Sequence, residues 1–242
     1  MVTGAGSGIG RAVARALATR GAAVLVVDLD AGAAETVADD LRDRGAQTAA
    51  AAADVGNAAQ VGSALDLGRR QLGAVDVLVN AAGGFNQRRL VVDTPEDEWD
   101  AVVDTNLKGV FLCCRAVLPS MIERGYGRIV NISSEAARAT TYLTAAHYTA
   151  AKAGVLGLTR HLAAEGGEHG ITVNAVTPGV TAVPRLTDLY DPQRRDEMNK
   201  QIPVGRWAEP DEQANAVLFL ASEGAAYVTG VTLPVNGGWP MT

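Results

Sequence analysis

Apolar runs of strand length alternate with longer amphipathic stretches along almost the whole chain, and this rhythm most restricts what it can fold into. The strand-length runs are 23–28 (AVLVVD), 47–53, 75–80 (VDVLVN), 127–133 (GRIVNIS), 171–177 (ITVNAVT) and 231–235. They are rich in Val and Ile and nearly continuously apolar, as expected of strands covered on both faces. Between them lie helix-length stretches at 8–20, 31–44, 57–72, 96–124, 146–169 and 210–222. Alternation of this kind predicts an α/β fold with a parallel sheet and helices on both sides. No composition break, repeat or low-complexity linker marks a second domain, so 1–242 reads as one domain. The longest irregular stretch, 178–208, contains Pro178, Pro184, Pro192 and Pro203 and reads as a lid-like excursion.

Composition removes several function classes. The net charge of −6 argues against nucleic acid, whose phosphates need a basic surface. No run of roughly 18 apolar residues is present, so no membrane span is expected, and the start does not read as a signal peptide. The two cysteines, Cys113 and Cys114, are adjacent and cannot build a disulfide framework, which fits a reducing cytoplasm.

The chain opens MVTGAGSGIG, a glycine-rich turn running into a helix. The spacing is not G-x-G-x-x-G, because Ile9 stands at the third glycine position. The physical ingredients of a phosphate cradle are present all the same. Glycines permit positive φ and close approach, and a helix starting near Ser7 offers free N–H groups at its positive end. Asp28 closes the second strand run, where a carboxylate can accept from both ribose hydroxyls and repel a 2′-phosphate. Asp30 adds to that repulsion, and Ala5, Gly6 and Ser7 bring no cation. NAD is therefore expected rather than NADP. An ordinary glycine loop, with Asp28 or Asp30 capping the next helix, is the plainer reading of the same residues.

The stretch HYTAAKAG puts Tyr148 and Lys152 four apart, on one face of a helix. A phenol titrates near pH 10, and an ammonium close by lowers that value enough to make it a usable acid or base. Ser134 ends the run RIVNISS, at the carboxyl edge of the sheet where ligands of open α/β sheets bind. Asn106 sits in DTNLKG inside a long predicted helix, an unfavourable place for Asn unless its side chain is used.

Taken together, TGAGSGIG (3–10), Asp54-Val55, NAAG (80–83), Asn106, Ser134, Tyr148-x-x-x-Lys152 and Pro178-Gly179 resemble the classical short-chain dehydrogenase/reductase family in order and approximate spacing, over almost the whole chain. The resemblance implies a single Rossmann-type, doubly wound sheet of order 3-2-1-4-5-6-7 in one dinucleotide-binding catalytic domain. It implies NAD as cofactor and hydride transfer between a secondary alcohol and a ketone. Tyr148 is then the proton donor or acceptor, Lys152 binds the nicotinamide ribose and tunes Tyr148, Ser134 holds the substrate oxygen and Asn106 organises a water. Gly4, Ser7, Gly8, Ile9 and Gly10 form the cofactor turn, Asp54 and Val55 meet the adenine, and Asn80 and Gly83 line the cleft near the adenosine ribose. Pro178, Gly179 and Thr181 lie at the nicotinamide end, with Thr181 resembling the family threonine that bonds the carboxamide. Ala81 replaces a common second Asn, and Tyr148 lies one position farther from Ser134 than usual, an insertion assigned to Arg138–Leu143.

A small to medium, partly apolar alcohol or ketone is the expected substrate, under a lid of Val183, Leu186, Leu189, Tyr190 and Met198 with Tyr142 and Leu143 opposite. A 3-oxoacyl thioester reductase acting on acyl carrier protein or coenzyme A substrates is the alternative enzyme, and a non-catalytic dinucleotide sensor the alternative of another class. Family members imply a homotetramer, or a dimer, through the helices at 96–124 and 146–169. His147, His161 and His169 read as structural, no metal site is supported, and Trp99, Phe111 and Phe219 read as core or interface packing. Arg88 and Arg89 read as a solvated pair sooner than as partners of an acidic substrate. Only Met1, Val2 and Thr3 precede the first glycine, so a further apolar segment of about four to six residues is expected upstream of Met1.

Overall fold

The computed structural model describes residues 1–85, 87–139 and 144–241. Among them, seven parallel strands form one sheet in the order β3-β2-β1-β4-β5-β6-β7. The strands are β1 (Val2–Thr3), β2 (Val24–Asp28), β3 (Thr48–Ala52), β4 (Val77–Asn80), β5 (Gly127–Ile132), β6 (Ile171–Pro178) and β7 (Thr232–Val235). The order reverses between β1 and β4, and a crevice opens there at the carboxyl ends of the strands.

The helices are α1 (Gly8–Thr19), α2 (Ala31–Asp43), α3 (Ala58–Leu72), α4 (Glu96–Val103), α5 (Gly109–Arg124), α6 (Ala146–Gly166), α7 (Pro184–Leu189), α8 (Pro192–Asn199) and α9 (Pro210–Leu220). Two apolar cores, one per sheet face, hold the layers together. One gathers Leu25, Leu78, Ile129 and Val173 beneath α3, α5 and α6. The other gathers Val2, Val26, Val79 and Val130 beneath α1, α2 and α9. Alternate residues of β2, β4 and β5 thus serve opposite cores, which is why these strands read as continuously apolar.

Two expectations are corrected. The stretch 96–124 is not one helix, because a π-helical turn over Asp104–Lys108 separates α4 from α5. The extra residue of that turn rotates Asn106 inward, and such turns recur at functional sites. The 178–208 stretch is not irregular throughout. Pro184 and Pro192, each at a first helical position where a missing N–H costs nothing, start α7 and α8.

β1 is short and its neighbours overrun it. Val2 pairs with Val26 and Val79, while β2 begins at Val24 and β4 at Val77. Met1 extends the ladder on the β4 side, where its carbonyl accepts from Val79 N at 2.9 Å and its ammonium donates to Val77 O at 2.9 Å.

Candidate active site

A cleft of about 790 Å³ opens over the carboxyl ends of the strands, walled by the turns after β1, β2, β3, β4 and β5, the start of α6 and the 178–190 segment. At one end the glycine turn carries α1. The amides of Ser7, Gly8, Ile9 and Gly10 meet no backbone acceptor among the described residues, leaving the positive end of α1 open toward the cleft. Gly10 permits the tight turn, since a Cβ there would stand 2.1 Å from Gly4 O. Asp28 is fixed at the cleft wall. Its Oδ2 accepts from Gly6 N at 2.8 Å and its Oδ1 from Asp30 N at 3.1 Å, which leaves lone pairs for a ligand. Asp30 caps α2 through Gly32 and Ala33. Asp54 Oδ1 accepts from Gly56 N at 2.8 Å, and Asp54 and Val55 line the same end.

At the other end β5 delivers Ser134 and α6 delivers Tyr148 and Lys152. Lys152 is 3% exposed and donates to Ile132 O at 2.8 Å. Its carbonyl accepts from Ser133 Oγ at 2.8 Å, so Ser133 clasps strand to helix while Ser134 faces the cleft. Ser134 Oγ accepts from Ala136 N at 3.2 Å, and its hydroxyl hydrogen-bonds Tyr148. Burial raises the Tyr148 pKa, while Ser134 and the charge of Arg185 pull it down. The expected tuning of Tyr148 by Lys152 is thus overtaken by desolvation. The ammonium lies 5.7 Å from the phenol ring centroid and spends a hydrogen bond on Ile132. Burial likewise lowers the Lys152 pKa to about 8, with Arg185 adding to the shift.

Asn106 and Asn80 do not line the cleft wall. Asn106 is wholly buried, and its side chain brackets Gly84. Its Oδ1 accepts from Gly84 N at 2.9 Å, and its Nδ2 donates to Gly84 O at 2.8 Å and Val102 O at 2.9 Å. Both Nδ2 hydrogens are thus engaged, and Oδ1 keeps one lone pair. Gly83 lies against this latch with φ +149, and a Cβ there would meet Asn106 Oδ1 at 2.4 Å. Asn80, expected beside the ribose, is turned into the sheet, where its Nδ2 donates to Asn131 Oδ1 at 2.8 Å. Thr181 lines the cleft as expected, with its hydroxyl turned inward. It is 2% exposed, and its hydroxyl donates to Gly179 O and accepts from Gln213 Nε2. Val183, two positions on, takes the place beside the glycine turn against Gly8.

The sequence reading missed Phe85, whose ring lies 4.9 Å from that of Tyr148, and Arg185, Trp239 and Pro240 on the cleft wall. Of the residues expected in the lid, Val183, Leu186, Tyr190 and Met198 line the cleft, whereas Leu189 points outward at 62% exposure. Tyr142 and Leu143 lie outside the described residues. His147 is buried behind Tyr148, 3.3 Å from Glu98, which Arg89 holds at 2.8 Å.

A family model described as enoyl-(acyl carrier protein) reductase matches residues 4–240. D-threitol dehydrogenase of Mycolicibacterium smegmatis is 43% identical over 242 residues, covering 100% of this chain and 92% of that protein. A 3-oxoacyl-(acyl carrier protein) reductase of Staphylococcus aureus is 42% identical over 242 residues, covering 100% and 97%. The chain belongs to the short-chain dehydrogenase/reductase family.

The fold agrees with that membership. The crystal structure of a 3-oxoacyl-(acyl carrier protein) reductase with bound NAD from Brucella melitensis superposes with a TM-score of 0.90 at 37% identity, covering 99% of this chain and 90% of that one. Like its family, the chain is an NAD(P)-dependent oxidoreductase. The open amides of α1 suit a pyrophosphate, and the held Asp28 carboxylate suits a ribose diol, so the residues present fit a nicotinamide dinucleotide.

Replacing Asn106 by Ala strands the N–H and C=O of Gly84. Chemical denaturation should show a loss of roughly 2–4 kcal/mol, the sum expected for two unsatisfied backbone groups. Asn106→Asp, whose second oxygen would face the Gly84 and Val102 carbonyls, should lose at least as much.

Proposed function

We propose that the chain interconverts a secondary alcohol and a ketone, with the whole of 1–242 acting as one dinucleotide-binding catalytic domain. The observation that carries this reading is the convergence of Ser134, Tyr148 and Lys152 on one end of a cleft whose other end suits a dinucleotide. A nicotinamide held in this cleft would supply or accept the hydride. Ser134 and Tyr148 hold the substrate oxygen between their hydroxyls. Ser134 Oγ accepts from Ala136 N, and the hydrogen that it directs at Tyr148 can turn to that oxygen. In oxidation Tyr148 takes the alcohol proton at its phenol oxygen, and in reduction it returns that proton to the carbonyl oxygen. Tyr148 stands in the first turn of α6, where the helix dipole favours the phenolate. Lys152, an ammonium below pH 8, supplies positive charge to the ribose side of the site. Asn106 acts by position, holding Gly84 and with it Gly83, which lies beside Lys152.

NAD(H) is preferred on this reading. Asp28 is held with both oxygens at the wall, and the cations on that wall, Lys152 and Arg185, do not come from the turns beside it. A negative carboxylate there opposes a 2′-phosphate. The second reading, a 3-oxoacyl thioester reductase, is favoured by the Staphylococcus aureus and Brucella melitensis relatives. The net charge of −6 disfavours it, because an acidic carrier protein docks on a basic surface. No helix among the described residues is long and apolar enough to cross a membrane. A cytoplasmic setting fits Cys113 and Cys114, both buried and with thiol pKa values pushed up to about 12 by desolvation. A homotetramer fits the exposed apolar side chains of Trp99 on α4, Phe111 on α5 and Phe219 on α9.

Tyr148→Phe should reduce turnover at least 100-fold while leaving cofactor binding, read by fluorescence titration with NADH, within a few-fold of the parent. Robust turnover in that variant overturns the assignment. Asp28→Ala should narrow the ratio of kcat/KM with NAD to that with NADP by about tenfold or more, the worth of one charge-assisted hydrogen-bond pair. Equal use of both cofactors by the unaltered protein overturns the Asp28 argument.

A further inference from the structure

Among the described residues the cleft wall carries two cations, Lys152 and Arg185, and the mechanism uses only the first. Arg185 comes from the first turn of α7 and reaches across the cleft mouth to the loop after β4. One of its terminal nitrogens donates to the Phe85 carbonyl, and its guanidinium lies 5.2 Å from the Phe85 ring centroid. A Cβ on Gly84 would stand 3.4 Å from that nitrogen, so the glycine leaves room for the arginine. Phe85 in turn packs 4.9 Å from the Tyr148 ring, which places the guanidinium one aromatic ring from the reacting hydroxyl. Its charge is felt there, since it lowers the pKa values of both Tyr148 and Lys152.

Arg185 has five N–H groups, and one of them is spent on Phe85. No carboxylate among the described residues lies within 4.0 Å of it to form an ion pair. The acids of the cleft are otherwise committed. Asp28 holds the glycine turn, Asp54 caps the turn after β3, and Glu135 accepts from Thr177 at 2.6 Å. Arg89, nearer in sequence to the NAAG loop, is paired with Glu98. A guanidinium pinned by a carbonyl and a ring face keeps its rotamer, so little entropy remains to be lost when a planar partner meets its free edge.

We propose that Arg185 is a specificity residue that receives a carboxylate of the substrate, making the chain a hydroxy-acid dehydrogenase or, in reverse, a keto-acid reductase. The inference rests on the alcohol–ketone reading and deepens it. One fork matches the two oxygens of one carboxylate, whereas a phosphate ester brings a second charge for which the wall has no further unspent cation. Leu186, Tyr190, Met198 and Trp239 give the rest of the wall its apolar character, suited to a short carbon chain.

The test compares racemic 2-hydroxybutyrate, 3-hydroxybutyrate and 4-hydroxypentanoate with their methyl esters, using the full chain and NAD. The acid of at least one pair should exceed its ester in kcat/KM by tenfold or more. In Arg185→Met that acid-to-ester ratio should collapse by about 10- to 100-fold, through KM for the acid. Arg185→Lys, a point charge without the fork, should recover part of it. Independently of turnover, calorimetric titration of Tyr148→Phe loaded with NADH should show acetoacetate binding that Arg185→Met added to it weakens by a similar factor. Three outcomes overturn the proposal while leaving the alcohol–ketone reading intact. These are esters matching acids in the parent, an unchanged ratio in Arg185→Met, or a loss in that variant that falls on KM for NAD, which assigns Arg185 to the cofactor. Absence of turnover with every acid and ester and with neutral secondary alcohols overturns both.

Discussion

The site depends on a reciprocal clasp between the end of β5 and the second turn of α6. Lys152 Nζ donates to Ile132 O, and Ser133 Oγ donates to Lys152 O, each at 2.8 Å. A buried ammonium is costly, and the fall of the Lys152 pKa to about 8 is the measure of that cost. What the clasp secures is register. With Ile132 and Lys152 joined, Ser134 must emerge two residues beyond the strand's last carbonyl, and Tyr148 one helical turn before the lysine. Two groups from segments fourteen positions apart therefore meet with little freedom left to misplace them.

A second constraint comes from the π-helical turn. An uninterrupted helix over 96–124 would carry Asn106 past the loop after β4, and the extra residue instead aims its amide at Gly84. That bracket fixes the backbone leading into Phe85, and Phe85 is the surface on which both Tyr148 and Arg185 lean. Behind Tyr148, the chain Arg89–Glu98–His147 fills the space with paired polar groups, so the phenol has one open side, toward the cleft. Positioning of the reactive hydroxyl is thus shared among residues that need never touch the substrate.

The fold was largely legible in the sequence because parallel strands covered on both faces leave an unmistakable run of Val and Ile, as in VLVVD and RIVNI. The glycine turn, Asp28 and the Tyr148–Lys152 pair were legible for a related reason: their chemistry needs those residue types at those spacings. What failed depended on where a side chain turns within a correctly placed element. Asn80 and Thr181 sit in the expected segments, yet Asn131 and Gln213, far away in sequence, supply partners that draw them inward. The π-helical turn was hidden because nothing in DTNLKG distinguishes a five-residue hydrogen-bonded turn from the regular one until the tertiary partner Gly84 is in view. Pro184 and Pro192 read as breakers of a loop and proved to be starters of helices, a choice decided by the residues that follow them.

Arg88 and Arg89, which follow the NAAG loop and read as a solvated pair, do not supply the cation of the cleft: Arg89 is paired with Glu98, and Arg185 comes to the Phe85 carbonyl from a hundred residues away. That arrangement couples substrate charge to proton chemistry. Arg185 lowers the pKa of Tyr148, which favours the phenolate, and also that of Lys152, which disfavours the ammonium. A negative group seated on Arg185 offsets both effects, favouring the Lys152 ammonium and the protonated form of Tyr148. Reduction starts from those two protonation states, so seating an acid on Arg185 holds the proton where reduction begins, at the cost of a weaker acid in Tyr148.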